Sequence, residues 1–187
     1  MADGGGIEAE LKARLRDPEA VVARLEAAYG PGRAELYRDT YYDDPAGELT
    51  GGDRELRVRT VDGGRTVLTY KGARVDEASG SKPEYETAVA DAEAVHAILR
   101  GLGYVPRIAF EKHCRTYALT ADGRELLATV VRVPELDGTF LEVETVVADA
   151  EGLAAGLEAV RAVLGRLGVA DGDLTTELYT DAVAAAR

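Results

Sequence analysis

Ile7-Glu8-Ala9-Glu10-Leu11-Lys12-Ala13-Arg14-Leu15 alternates without a break, apolar at every odd position and charged at every even one. Side chains that switch face at each residue are the mark of a β-strand, here with Ile7, Ala9, Leu11, Ala13 and Leu15 on one side and Glu8, Glu10, Lys12 and Arg14 on the other. The same charges also make i,i+4 pairs, Glu8 with Lys12 and Glu10 with Arg14, which would suit a solvent-facing helix. Asp17-Pro18 follows at once. Proline pushes the residue before it out of helical geometry, which favours the strand.

Working outward, the same arrangement recurs twice. Pro83-Glu84-Tyr85-Glu86-Thr87 leads to Ala90-Asp91-Ala92-Glu93, and Leu141-Glu142-Val143-Glu144-Thr145 leads to Ala148-Asp149-Ala150-Glu151. Each copy reads as a strand, an Asp N-cap, an amphipathic helix and a glycine stop near Gly30, Gly103 or Gly168. The helical stripes are Val21, Leu25 and Ala28; then Val95, Ile98, Leu99 and Leu102; then Leu153, Leu157, Val160, Leu164 and Leu167. A short last helix is expected from about Glu177.

Strand-like runs cover 7–16, 36–42, 54–61, 65–71, 83–89, 107–119, 125–133 and 139–147, with hairpin signals at Asp62-Gly63-Gly64 and Ala121-Asp122-Gly123 and a loop over 72–82. Eight runs suffice to close a barrel without exposed edges. The expected fold is α+β: a closed eight-stranded antiparallel β-barrel with flanking amphipathic helices, one domain over 1–187, with 1–6 as a flexible N-terminus.

Composition narrows the function. Nothing approaches a membrane-spanning apolar run, and Met1–Gly6 carries no basic or apolar signal, so a cytoplasmic protein with no membrane partner is expected. Cys114 is the single cysteine, which excludes an internal disulfide, and with His96 and His113 it cannot make a structural zinc site. His113 and Cys114 are strand neighbours that point to opposite faces, so they do not form a nucleophile–base pair. A net charge of −12 argues against a nucleic-acid partner. An anionic ligand would need a local basic pocket inside an acidic shell.

The strands supply one. Arg57 and Arg59 share a face, Lys71 ends the next strand, Glu84 and Glu86 lie together, and so do Glu142 and Glu144. On an open sheet these charges would face water. The helices, however, need the apolar faces to cover, so on a closed sheet the charged faces turn inward, where acids and bases must pair or hold a ligand. The bases would then grip phosphate oxygens and the acids a hard divalent metal.

At Glu8-Ala9-Glu10-Leu11-Lys12 the chain resembles the CYTH family of triphosphate tunnel enzymes, which includes class IV adenylyl cyclases, thiamine triphosphatases and inorganic triphosphatases. The resemblance continues in order through Asp39-Thr40-Tyr41-Tyr42-Asp43, Leu56-Arg57-Val58-Arg59, Leu68-Thr69-Tyr70-Lys71-Gly72, Ser81-Lys82-Pro83-Glu84-Tyr85-Glu86, Glu111-Lys112 with Arg115 and Tyr117, Phe140-Leu141-Glu142-Val143-Glu144 and Leu178-Tyr179-Thr180-Asp181. It is most like the cyclase-type branch. It implies phosphate binding by Lys12, Arg57, Arg59, Lys71, Lys82 and Lys112, with Lys12, Arg59 and Lys71 at the chemistry. It implies Mg²⁺ or Mn²⁺ on Glu8, Glu10, Glu142 and Glu144, with Glu84 and Glu86 as supporting acids. Related proteins dimerise, which leaves a homodimer open.

Two positions depart from the family pattern. Cys114 stands where a basic residue is usual, with Arg115 one place along. Arg132 falls where a metal-binding Asp is usual, eight residues before Phe140. Arg115 and Arg132 are therefore expected as further phosphate clamps. Three functions stay open: a class IV-like adenylyl cyclase making cyclic AMP and pyrophosphate from ATP, which the branch resemblance favours; a triphosphatase; and, because of Arg132, a module that binds a triphosphate without turnover or an enzyme of altered substrate.

Overall fold

The computed structural model describes residues 5–187. Residues 1–4 of the expected flexible N-terminus lie outside that range. Gly5 and Gly6 do not belong to such a tail, because they begin a strand and pair with Tyr85 and Glu84.

Eight strands, β1 (Gly5–Arg14), β2 (Arg33–Asp43), β3 (Glu55–Val61), β4 (Arg65–Lys71), β5 (Lys82–Val89), β6 (Val105–Ala121), β7 (Arg124–Arg132) and β8 (Phe140–Val147), close in the order β1-β5-β4-β3-β2-β6-β7-β8. Every neighbouring pair is antiparallel. Closure gives every strand a neighbour on both sides. The hairpin turns fall at the glycines read from the sequence: Gly63 and Gly64 have φ of 96° and 90° and Gly123 has 75°, a backbone that other residues adopt only under strain.

Five helices accompany the barrel: α1 (Pro18–Tyr29), α2 (Glu48–Gly51), α3 (Ala92–Gly101), α4 (Ala150–Arg166) and α5 (Tyr179–Ala186). Asp17, Asp91 and Asp149 cap α1, α3 and α4, each accepting a backbone N–H at 3.0 Å. The one-turn α2 has no periodic apolar stripe to announce it. Its start is held by the buried Asp43, which accepts the N–H groups of Leu49 and Thr50.

The main core is outside the barrel wall. Leu11 of β1 and Val143 of β8 meet Leu25 of α1 and Val160 and Leu164 of α4. Tyr42 and Val58 meet Val95 and Leu99 of α3. Not every expected stripe residue is covered: Ile98 and Leu102 are 59% and 70% exposed and Ala28 is exposed, because α1 and α3 rest on the wall along only one narrow line. A second apolar cluster is drawn from inward positions of β2, β6, β7 and β8. Tyr41, Phe110, Val131 and Phe140 close there onto Tyr179 and Val183 of α5.

Helix α4 approaches the wall closely at Gly156. A Cβ there would stand 2.9 Å from Val147 Cγ1 and 3.0 Å from Ala9 Cβ. Gly156→Val should therefore destabilise the fold by about 1–3 kcal/mol through overpacking, read as a lower urea midpoint at unchanged m-value.

Candidate functional site

The even-numbered residues of β1 face into the barrel. Register carries the same parity around the ring: Lys12 lies opposite Glu142, Glu10 opposite Glu144, Lys71 opposite both Glu55 and Glu84, and Arg59 opposite Asp39. These side chains line a cavity of about 540 Å³ with two unlike walls. Glu8, Glu10, Glu142 and Glu144 project from β1 and β8, while Arg57, Arg59, Lys71, Lys82 and Lys112 project from β3, β4, β5 and β6. Lys12, Lys71, Lys82 and Lys112 are the only lysines in the chain, and all four line this cavity.

The cations fall into two groups. Arg59, Lys71 and Lys82 are already neutralised. Arg59 donates to both oxygens of Asp39 at 2.7 Å, Lys71 bridges Glu8 and Glu84, and Lys82 reaches Asp53 at 3.0 Å and Glu55 at 2.8 Å. Charge-assisted pairs of this kind hold long side chains in fixed positions. The other group is under-compensated. Lys12 has no carboxylate in salt-bridge range among the described residues and donates to the Glu177 carbonyl. Lys112 lies 3.9 Å from an Asp39 already committed to Arg59. Arg57 is 3.9 Å from Glu86, and its buried Nε has no partner among the described residues. A buried donor left unpaired points to an acceptor supplied from outside the chain.

The acids divide as well. Burial alone would raise Asp39, but the hydrogen bonds and charge of Arg59, with Arg57 and Lys112 behind it, hold its carboxyl at about 2. Against the opposing effect of desolvation, the half-buried Glu142 is kept below the usual carboxylate range by Lys112, Lys12 and Arg59. Glu10 moves the other way, pushed up to about 8 by burial and by the charges of Glu142 and Glu8. Glu144 is raised well above its ordinary value by burial and by Glu8 and Glu10. Crowded carboxylates that resist ionising together are the electrostatic signature of a cation site. One oxygen from each of Glu8, Glu10 and Glu144 lies within 4.8 Å of the others. This all-oxygen set fits a hard divalent ion such as Mg²⁺ or Mn²⁺. Glu142 stands outside the trio, beside Tyr179 and in the field of Lys112 and Lys12.

The structure thus brings together Glu8, Glu10, Lys12, Arg57, Arg59, Lys71, Lys82, Glu84, Glu86, Lys112, Glu142 and Glu144 as lining of one cavity, Glu86 half exposed at its edge. Arg115 and Arg132 are corrections. Arg115 points to the outer surface and pairs with Glu26 of α1 at 2.8 Å. Arg132 is exposed and sits across from His113, also exposed, on the outer face. The inward residues of β7 include Leu127, Thr129 and Val131, with Thr129 opposite Glu142. Counting eight residues back from Phe140 crosses the connection between β7 and β8, and a one-residue error there turns an inward position outward. Arg132 therefore neither clamps phosphate nor repels a metal, and it gives no ground for a tunnel without turnover.

Several residues in or next to the cavity were given no role by the sequence reading. Glu55, Tyr37 and Tyr41 line the cavity and Asp39 is buried behind Arg59; all four follow the same period-2 alternation as the residues that were found, and extending the alternation along β2 and β3 would have placed them. Asp53 and Arg74 had no such signal, because they come from loops: Arg74 donates to both oxygens of Asp53, at 2.7 and 2.8 Å. Cys114 faces the cavity, but burial pushes its thiol up to about 12, so it is no nucleophile at neutral pH.

The CYTH domain matches residues 6–179. A Methanocaldococcus jannaschii protein, provisionally named an adenylate cyclase, is 26% identical over 176 residues, 94% of this chain and 97% of its own. Among solved structures, a Pyrococcus horikoshii protein superposes with a TM-score of 0.84 at 26% identity, covering 96% of this chain and 99% of that one. A Hippeastrum protein, provisionally named an adenylyl cyclase and described as having a dominant triphosphatase activity, shares the fold with a TM-score of 0.67 at 20% identity, covering 97% and 96%.

The Asp39–Arg59 pair has a measurable consequence. A carboxyl lowered from 3.8 to about 2 contributes stability above pH 4 that is lost as pH falls toward 2. The contribution is roughly 2 kcal/mol. In Asp39→Asn this part of the acid-denaturation profile should vanish. Stability at pH 7 should fall by about 3 kcal/mol, because the buried guanidinium loses its counter-charge. Urea titrations at pH 2–7 check both.

Proposed function

Given that the chain belongs to the CYTH domain family, we propose that its tunnel binds a small-molecule triphosphate and cleaves it with the help of a divalent cation. The observation that carries this reading is the pairing, in one cavity, of under-compensated cations with carboxylates that repel one another: Lys12, Lys112 and Arg57 on one side, Glu8, Glu10 and Glu144 on the other. Each half lacks what a metal–triphosphate would provide.

Glu8, Glu10 and Glu144 would hold the ion, Mg²⁺ or Mn²⁺, which when bound neutralises phosphate oxygens and lowers the barrier to charge redistribution at phosphorus. The rest is the work of the chain. Lys12, Lys112 and Arg57 take up phosphate oxygens with positive charge that no carboxylate fully neutralises. Arg59, Lys71 and Lys82, fixed by Asp39, Glu8, Glu84, Asp53 and Glu55, present positive charge that does not need to reorganise as the transition state forms. The leaving phosphate chain gains negative charge, and the basic wall stabilises it there.

The first reading of the reaction is adenylyl cyclisation, in which the ribose 3′-hydroxyl of ATP attacks the α-phosphorus and pyrophosphate leaves. It is supported by the name of the Methanocaldococcus jannaschii relative, matched over nearly the full length of both chains. The second is hydrolysis at the γ-phosphorus. The same cradle would serve it, and the triphosphatase activity described for the Hippeastrum neighbour supports this reading.

Incubation with ATP, thiamine triphosphate and tripolyphosphate, each with Mg²⁺ or Mn²⁺, separates the two. Cyclic AMP with pyrophosphate identifies the cyclase, and free phosphate the hydrolase. Lys112→Ala should lower kcat/KM by about 2–4 kcal/mol of transition-state stabilisation, and Glu144→Gln should abolish most of the metal dependence. Absence of both binding and product with all three compounds would overturn the proposal.

A further inference from the structure

Outside the strands, one aromatic side chain is placed where no packing requirement explains all of its contacts. Tyr179 opens α5 and is buried, its ring edge-on to Phe140 at 5.4 Å between centroids. That contact alone would be served by any apolar residue. The ring, however, also carries two ammonium groups, with Lys12 Nζ at 4.5 Å and Lys112 Nζ at 4.2 Å from its centroid. These are two of the cations left under-compensated by carboxylates. The phenol lines the cavity, with its buried oxygen facing Glu142; burial, together with that carboxylate, raises the hydroxyl well above its ordinary value.

The segment before α5 is tied to the same place. Leu174 bridges Ala13, the Thr175 N–H donates to the Lys12 carbonyl at 2.8 Å, and Lys12 Nζ donates to the Glu177 carbonyl. The C-terminal segment therefore grips Lys12 at both its backbone and its ammonium. A π-face attracts a cation without neutralising it, so it fixes the position of a lysine while leaving its charge free for an anion.

We propose that Tyr179 is a positioning residue, its ring holding the ammonium groups of Lys12 and Lys112 ready for the phosphates of the substrate. The assignment rests on the triphosphate reading of the tunnel, but its geometry can be tested without a ligand. In protein labelled with ¹³C-lysine every side-chain signal comes from the tunnel. The ε-methylene resonances of Lys12 and Lys112, assigned with Lys→Arg variants, should lie upfield of those of Lys71 and Lys82. They should stay there in Tyr179→Phe and move downfield in Tyr179→Leu.

Tripolyphosphate binding, followed by calorimetry with chelator present, gives the functional arm. Tyr179→Leu should weaken it about tenfold and Tyr179→Phe no more than about threefold, since a desolvated cation–π contact is of that order. A loss in Tyr179→Phe as large as in Tyr179→Leu, or native affinity in Tyr179→Leu, overturns the proposal, as does the absence of upfield lysine signals. Failure of the unaltered protein to bind tripolyphosphate, with the upfield signals present, would instead overturn the triphosphate reading.

Discussion

Charges of both signs enclosed by one cylinder must be balanced within it, and most of the architecture follows from that requirement. A buried arginine or lysine without a partner would cost more than a small barrel can supply. Asp39, fully buried against Arg59, and Glu55 with Asp53 on Lys82 are the local answers. The balance is deliberately incomplete on two sides of the cavity. Lys12, Lys112 and Arg57 keep unspent positive charge, and Glu8, Glu10 and Glu144 crowd together against their own repulsion. The imbalance is a stored preference for a ligand that carries both a cation and a polyanion.

Helices α1, α3 and α4 make this interior possible by acting from outside. The apolar half of each alternating strand needs cover, and α4 supplies it for β1 and β8 at a distance so short that only glycine fits at position 156. With the apolar half turned outward and covered, the charged half has no choice of direction once the sheet closes. Fold and site are in this sense one decision, taken at each strand residue.

That is why so much was legible in advance. The alternation over residues 7–15 and its echoes at 83–87 and 141–145 gave the inward acids and Lys12, and the aspartate caps gave three helix starts. Where residues were misplaced, parity was the cause. Arg132 was located by counting across a connection, and Arg115 by proximity to a position held by Cys114. A strand offers no half-measures, so both ended on the outer surface. Asp53, Arg74 and the role of Tyr179 were illegible for a different reason: they arrive from loops and a terminal helix, and only the closed barrel brings them to the cavity.

The confinement of lysine has a practical corollary. Arginine serves the exterior of this protein, so no side-chain amine is left there. Reagents that acylate or alkylate primary amines will find their side-chain targets within the phosphate cradle, and a bound polyanion will shelter them. The extent of such labelling thus becomes a direct gauge of how full the tunnel is, with no need for turnover or for a chromophoric substrate.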